Sequence, residues 1–154
     1  MNVEIINPFV ESLIAVIRTM AQLDATLGRA SLKISTQAPG IVTGFIQLSG
    51  LTQRGSLAIS FTQGAILLVF EKMLGERPDE IDESTLDLAG EITNMVCGGA
   101  KQRLSAKNYV FELTQPIILS GIGHTISHPG PNAVITVPIT LSEGIIFIEV
   151  SLDR

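Results

Sequence analysis

The residues of this chain best placed to do chemistry lie in one stretch, Glu83 to Ser105, which reads ESTLDLAGEITNMVCGGAKQRLS. At about 100° per residue, Asp87, Glu91, Asn94 and Gly98 fall on one side of a helix, within roughly 60° of one another. Two acids, an amide and a bare backbone position share that stripe. Asn94 cannot serve as a base or nucleophile near neutral pH, but its carbonyl and amide groups can hold a water molecule. Phosphoryl transfer asks for little more. Its transition state is loose, so the protein's task is positioning and charge stabilisation, and an amide side chain can orient the attacking water. Elsewhere the chain has no Ser-His-Asp order, no activated Cys, no phosphate-cradling GxxxxGK and no HExxH.

Any surface helix needs a polar face, and an Asp, a Glu and an Asn on it are ordinarily just solvated. The glycines set this helix apart. Gly98 and Gly99 stand inside an otherwise well-formed helix, where each costs about 1 kcal/mol relative to Ala. Gly99 falls with Leu88, Ala89, Ile92, Met95, Val96, Ala100 and Leu104 on the side expected to be buried, where close packing explains it. Gly98 falls in the polar stripe, where no core constraint asks for a missing side chain. A bare patch beside Asn94 suits a helix against which another protein's surface must lie closely. Cys97, between the two faces, reads as a small buried hydrophobe rather than a nucleophile.

The segment LAGEITNMVCGGAKQRL resembles the signature helix of the CheC/CheX/FliY family of chemotaxis phosphatases. That signature is an Asp or Ser, three residues, Glu, two residues, Asn, then small residues and a later Leu; here Asp87, Glu91, Asn94, Gly98, Gly99 and Leu104 hold those positions. A single copy of the motif, in the second half of a short chain, is most similar to the CheX branch. The resemblance implies a protein phosphatase that hydrolyses the phospho-aspartate of a CheY-like response regulator in chemotaxis or two-component signalling. It implies a catalytic pair in which Asn94 aligns the water in line with the phosphorus and Glu91 engages the regulator's active-site Lys. Asp87, Gly98 and Lys101 are the expected partner-binding residues. No cofactor of its own is expected, since the regulator's site supplies the Mg²⁺. The resemblance also implies a homodimer joined through sheet edges. The alternative is a non-catalytic docking module of the same fold that binds a response regulator or a flagellar-switch component; the intact Glu91 and Asn94 favour the enzyme. A metal site built from Asp87 and Glu91 has the right helical spacing for two carboxylates but lacks further ligands. The low charge around Asn94 points to docking by shape as much as by electrostatics.

The elements that must position this helix can be read from the rest of the chain. The 154 residues, 45% hydrophobic and 5% aromatic, make one domain, 1–154, with an aliphatic core. A net charge of −5 argues against nucleic acid or an anionic membrane as partner. The single Cys excludes an internal disulfide and fits a reducing compartment. The start of the chain carries Glu4 and Glu11 and does not read as a signal peptide, and the runs AILLVF and GIIFI are too short to span a bilayer, so a cytoplasmic protein is expected.

Asn7 and Pro8 mark the start of a first helix, with Phe9, Leu13, Val16, Ile17 and Met20 at helical spacing. Glu11 there is followed three residues on by Ile14, so this helix cannot repeat the chemistry of Asn94. Strands are predicted at 32–35, 41–48 and 55–61, then a helix over 63–74 stopped by Gly75, then the central helix, then strands at 109–113, 132–141 and 145–152. Helix and three strands thus occur twice. The fold class is α+β, a CheC/CheX-like pseudo-symmetric duplication with half-repeats of about 1–75 and 76–154 and a mostly antiparallel sheet covered by long helices. His124 and His128, in GIGHTISHPGP, belong to a segment that reads as a plain flexible loop rather than a metal site. Pro138, inside a strand pattern, is expected to mark an edge position or a bulge.

Overall fold

Apolar residues recurring every three to four positions wind three segments into helices: α1 (Val3–Ala21), α2 (Gln63–Leu74) and α3 (Glu83–Ser105). The computed structural model describes residues 3–51, 53–130 and 133–153. The eight strands are β1 (Thr26–Leu27), β2 (Ser31–Leu32), β3 (Val42–Gly50), β4 (Arg54–Phe61), β5 (Phe111–Leu113), β6 (Ile117–Ser120), β7 (Ile135–Thr140) and β8 (Ile145–Asp153). They form one sheet in the order β1-β7-β8-β4-β3-β5, with β2 also pairing β7 and β6 also pairing β3. Each of these pairings is antiparallel, so the chain is of the α+β class with one open sheet. Among the described residues no helix is long and apolar enough to cross a membrane.

The long strands alternate cleanly. Val42, Ile46, Leu57, Ile59, Ile148 and Val150 turn to one face and are buried in the main core beneath the three helices. α3 lies closest to the sheet, and two glycines set how close. A Cβ on Gly44 of β3 would overlap Thr93 Oγ1 and stand 2.9 Å from Thr93 Cβ. A Cβ on Gly99 would overlap Ser12 Oγ of α1, whose hydroxyl donates to the Val96 carbonyl at 2.7 Å. Gly99 is therefore a packing glycine, as its place on the helix suggests, and α3 is fixed against both the sheet and α1.

Several boundaries differ from the expected ones. α1 begins before Asn7 and Pro8, so Pro8 lies inside it. Ile5 and Ile6, ahead of the proline, are buried, and burying them outweighs the one hydrogen bond that Pro8 cannot donate. The strand expected at 32–35 shrinks to β2, and β1 and β6 were not expected at all. Four strands thus precede residue 76 and four follow it, rather than three and three. The strand expected from Asn132 starts at Ile135; Pro131 and Asn132 lie outside the described residues. β7 is an interior strand rather than an edge, yet Pro138 breaks nothing. Its carbonyl accepts from Gly28 N–H at 2.8 Å, so its own nitrogen turns to the same side, where β1 has ended and β2 has not begun.

The other face of the sheet also differs from expectation. Residues around His124 and His128 do not form a loose loop; they run as an extended arm across the sheet. Ile126 N–H donates to the Thr36 carbonyl and Ala38 N–H to the His124 carbonyl, making a small ribbon. Every second residue of the arm points inward. His124 Nε2 lies 2.7 Å from Thr43 Oγ1, Ile126 packs with Ala38, Ala58 and Phe45, and His128 Nδ1 lies 2.7 Å from Ser56 Oγ. His128 Nε2 also lies 3.0 Å from Glu149 Oε1, and Lys33 Nζ lies 2.7 Å from Glu149 Oε2. Glu149 is wholly buried at the centre of β8, and the Lys33 ammonium together with the His128 ring nitrogen makes its burial tolerable.

Replacing Gly44 with Ala should lower stability by about 1 to 3 kcal/mol, since the added methyl has no space beneath Thr93. Adding Thr93→Ala to that variant should recover part of the loss, a favourable coupling that urea unfolding of the two single mutants and the double mutant would measure.

Candidate active site on helix α3

α3 starts at a strong cap. Asp82 has extended backbone angles, and its carboxylate accepts from Thr85 N–H at 3.0 Å while Thr85 Oγ1 accepts from Asp82 N–H at 2.8 Å. This reciprocal pair satisfies two backbone donors that a helix start leaves open. The D-x-x-T spacing stands in the sequence but was not read as a cap. Ser84 and Thr85 hydrogen-bond the Asp82 carboxylate and hold it below the usual carboxylate range, the Ser84 hydroxyl contributing most.

From that start the helix turns one side inward. Leu88, Ala89, Ile92, Thr93, Val96, Ala100 and Leu104 are buried. Thr93 is the member that hydropathy did not mark. Its hydroxyl donates to the Ala89 carbonyl at 2.8 Å, and the same oxygen is the Thr93 atom that stands closest over Gly44. Cys97 is buried as well, and burial alone pushes its thiol up to about 12, so it stays protonated and inert.

The other side is open. Asp87, Glu91, Asn94, Gly98 and Lys101 are all exposed, so the structure brings the five expected site residues onto one outward face of a single rigid element. At Gly98 an added Cβ would meet no other atom within 4 Å, in contrast to Gly99 next to it. Lys101 makes only a long ion pair, 3.9 Å from Glu112 Oε2, which surface screening renders weak. Arg103 is turned away from this face, donating to the Gly99 carbonyl at 3.2 Å and lying 3.8 Å from Glu11 of α1.

This arrangement supplies an amide and a carboxylate one turn apart on a convex, exposed ridge, with smooth backbone beyond them. Among the described residues there is no group of three or more His, Cys, Asp or Glu side chains that could hold a metal. An exposed ridge of this kind suits a macromolecular substrate that brings its own surface to it.

Comparison with known proteins agrees with this picture. Residues 42–140 match the family model described as chemotaxis phosphatase CheX. The chain is 27% identical over 122 residues to the CheY-P phosphatase CheX of Thermotoga maritima, covering 79% of this chain and 78% of that one. A CheC-like superfamily protein from Shewanella sp. PV-4 superposes with a TM-score of 0.94 at 44% identity over the whole of both chains. A complex of CheX with CheY, BeF₃ and Mg²⁺ from Borrelia burgdorferi matches with a TM-score of 0.79 at 26% identity, covering 99% of this chain and 100% of that one.

Asp82 gives the site helix an acid sensitivity with a defined sign. Its folded-state pKa is depressed, so its contribution to stability is complete above the ordinary carboxylate value, about 4, and is lost as pH falls through its own lower value. Asp82→Asn keeps a good cap without the titrating group. Thermal midpoints of wild type and Asp82→Asn should therefore converge as the pH is lowered below the ordinary carboxylate range.

Proposed function

Because the chain belongs to the CheX family of chemotaxis phosphatases, we propose that it hydrolyses the aspartyl phosphate of a CheY-like response regulator, with the exposed face of α3 as the catalytic surface. The observation that carries this reading is Glu91 and Asn94 standing exposed, one turn apart, on a helix whose neighbouring Gly98 is bare. Asn94 orients a water in line with the phosphorus, its side-chain carbonyl accepting a hydrogen bond from that water. Glu91 engages the Lys of the regulator's own active site. The attacking water forms the new P–O bond, the P–O bond to the regulator's Asp breaks, and inorganic phosphate leaves while the aspartate is restored. The regulator carries the Mg²⁺, in keeping with a helix face whose carboxylates lack further ligands. Asp87, Gly98 and Lys101 lie against the regulator around this pair.

The same reading takes residues 1–154 as one domain of two half-repeats, about 1–75 and 76–154. Exchanging β1–β4 with β5–β8 leaves the strand order unchanged, which supports it. It also includes a homodimer joined at a sheet edge. At both edges the outermost strands are short and split, and Leu27, Leu32 and Ile117 there are more than half exposed.

The decay of a phosphorylated regulator with Mg²⁺ present tests the reading. Wild-type protein should accelerate it, and Asn94→Ala should lose about 3 to 4 kcal/mol of that acceleration, on the order of a hundredfold or more in rate. Glu91→Ala should mainly weaken binding of the phosphorylated regulator. Gly98→Leu, whose side chain would hold the two backbones apart, should raise KM with little change in stability. Equal decay with wild type and Asn94→Ala would overturn the assignment.

A further inference from the structure

Outside residues 76–91, every carboxylate whose side chain is described has a partner. Glu11 lies beside Arg103, Asp24 beside Arg18, Glu71 and Glu143 beside Arg77, and Glu112 beside Lys101; Glu149 meets Lys33 and His128, and Glu4 accepts from the Tyr109 hydroxyl. Within 76–91 the pattern reverses. Asp82 is spent on the helix cap, and Glu76, Asp79, Glu80, Glu83, Asp87 and Glu91 are exposed with no cation partner among the described residues. The opposite end of the same face carries Lys101, and Lys107 follows just past the helix, exposed and without an ion pair among the described residues.

The helix macrodipole favours acids in a first turn and cations in a last one, which accounts for Glu83. It does not account for Glu76, Asp79 and Glu80, which precede the helix, nor for Asp87 and Glu91, which stand one and two turns inside it, because the effect fades within the first turn. Crowding unpaired like charges costs stability, so the fold itself gains nothing from them. Asn94 and Gly98 sit where the sign changes. The local face there is almost uncharged, but its two ends are not.

We propose that α3 accepts its regulator in one orientation, set by this charge gradient: the partner is a receiver domain that is basic where it meets residues 76–87 and acidic where it meets Lys101. This deepens the phosphatase reading and rests on it. From Glu83 to Lys101 the face is about 27 Å long at 1.5 Å per residue, close to the diameter of a small domain, so a docked receiver meets both ends at once. Rim charges of this kind act on encounter and register more than on the chemical step.

Regulator dephosphorylation measured between about 20 and about 300 mM NaCl tests the gradient. The variants are Asp79→Lys/Glu80→Lys/Glu83→Lys, its neutral counterpart Asp79→Asn/Glu80→Gln/Glu83→Gln, which guards against misfolding, and Lys101→Glu. At low salt the triple reversal should reduce kcat/KM about tenfold or more, through KM alone, with the neutral variant intermediate. Lys101→Glu should weaken it too, and high salt should close every gap. Unchanged salt dependence in the variants would overturn the proposal, and tighter docking by Lys101→Glu would overturn its directional part. Should wild type fail to accelerate decay, the phosphatase reading falls separately. Binding of a beryllofluoride-activated regulator across the same salt series then decides the gradient alone, a loss in the reversed variants supporting it and unchanged binding refuting it.

Discussion

Thr93 occupies the space where Gly44 has no side chain, and the placement of α3 follows from that contact. A helix laid on a sheet normally rides on the side chains beneath it. Here one of them is missing, so the helix backbone settles deeper, and a threonine rather than a leucine fills the gap. Deeper seating buries Ile92 and Val96 completely on either side of Thr93. The residue next in sequence, Asn94, is then directed outward. Gly99 against Ser12 fixes the remaining freedom, rotation about the helix axis, because α1 reaches the α3 backbone itself at the Val96 carbonyl. A site made of one amide and one carboxylate has no walls to hold its geometry. Its precision comes from below.

The central helix was legible because its polar and apolar positions keep one helical period along its whole length, whereas its cap at Asp82 and Thr85 was overlooked. Its bounds in the structure are those read from the chain. The two adjacent glycines were also separable by position, one packed against Ser12 and one bare. Short strands were not legible. β1 and β2 are two residues each, shorter than any alternation can register, and they exist because β7 offers open backbone groups on either side of Pro138. Pairing supplied from elsewhere in the chain leaves no local trace. The early start of α1 is the same kind of case, since Ile5 and Ile6 are drawn into the helix by the core that receives them.

The histidine arm shows a different limit. Gly and Pro mark GIGHTISHPGP as irregular, and irregular it is, but order comes from partners far away in sequence: Thr43, Ser56, Glu149 and Lys33. A buried Glu in a strand of Ile, Val and Phe was the available clue, because a lone carboxylate in such a place demands a cation and a donor. The outer face is thereby held by polar clasps with a small apolar patch, while the helical face is held by a large aliphatic core. The exposed ridge of α3 belongs to the better-buried side.

The sheet order also has a kinetic meaning. The central pair, β4 with β8, joins residues about ninety apart, and the split strands of each half pair with the hairpin of the other: β1 and β2 with β7, β5 and β6 with β3. Neither half can complete its sheet alone. The β3–β4 and β7–β8 hairpins can close early because their loops are short, but the ordering cost of long-range closure falls on the step that joins them. Until β8 arrives at β4, each hairpin presents an open edge to any other chain nearby. A protein emerging from the ribosome in chain order has made α1, β3 and the ridge helix, which seat against one another, before β8 exists, so the ridge can be in place while the β4 edge still stands open.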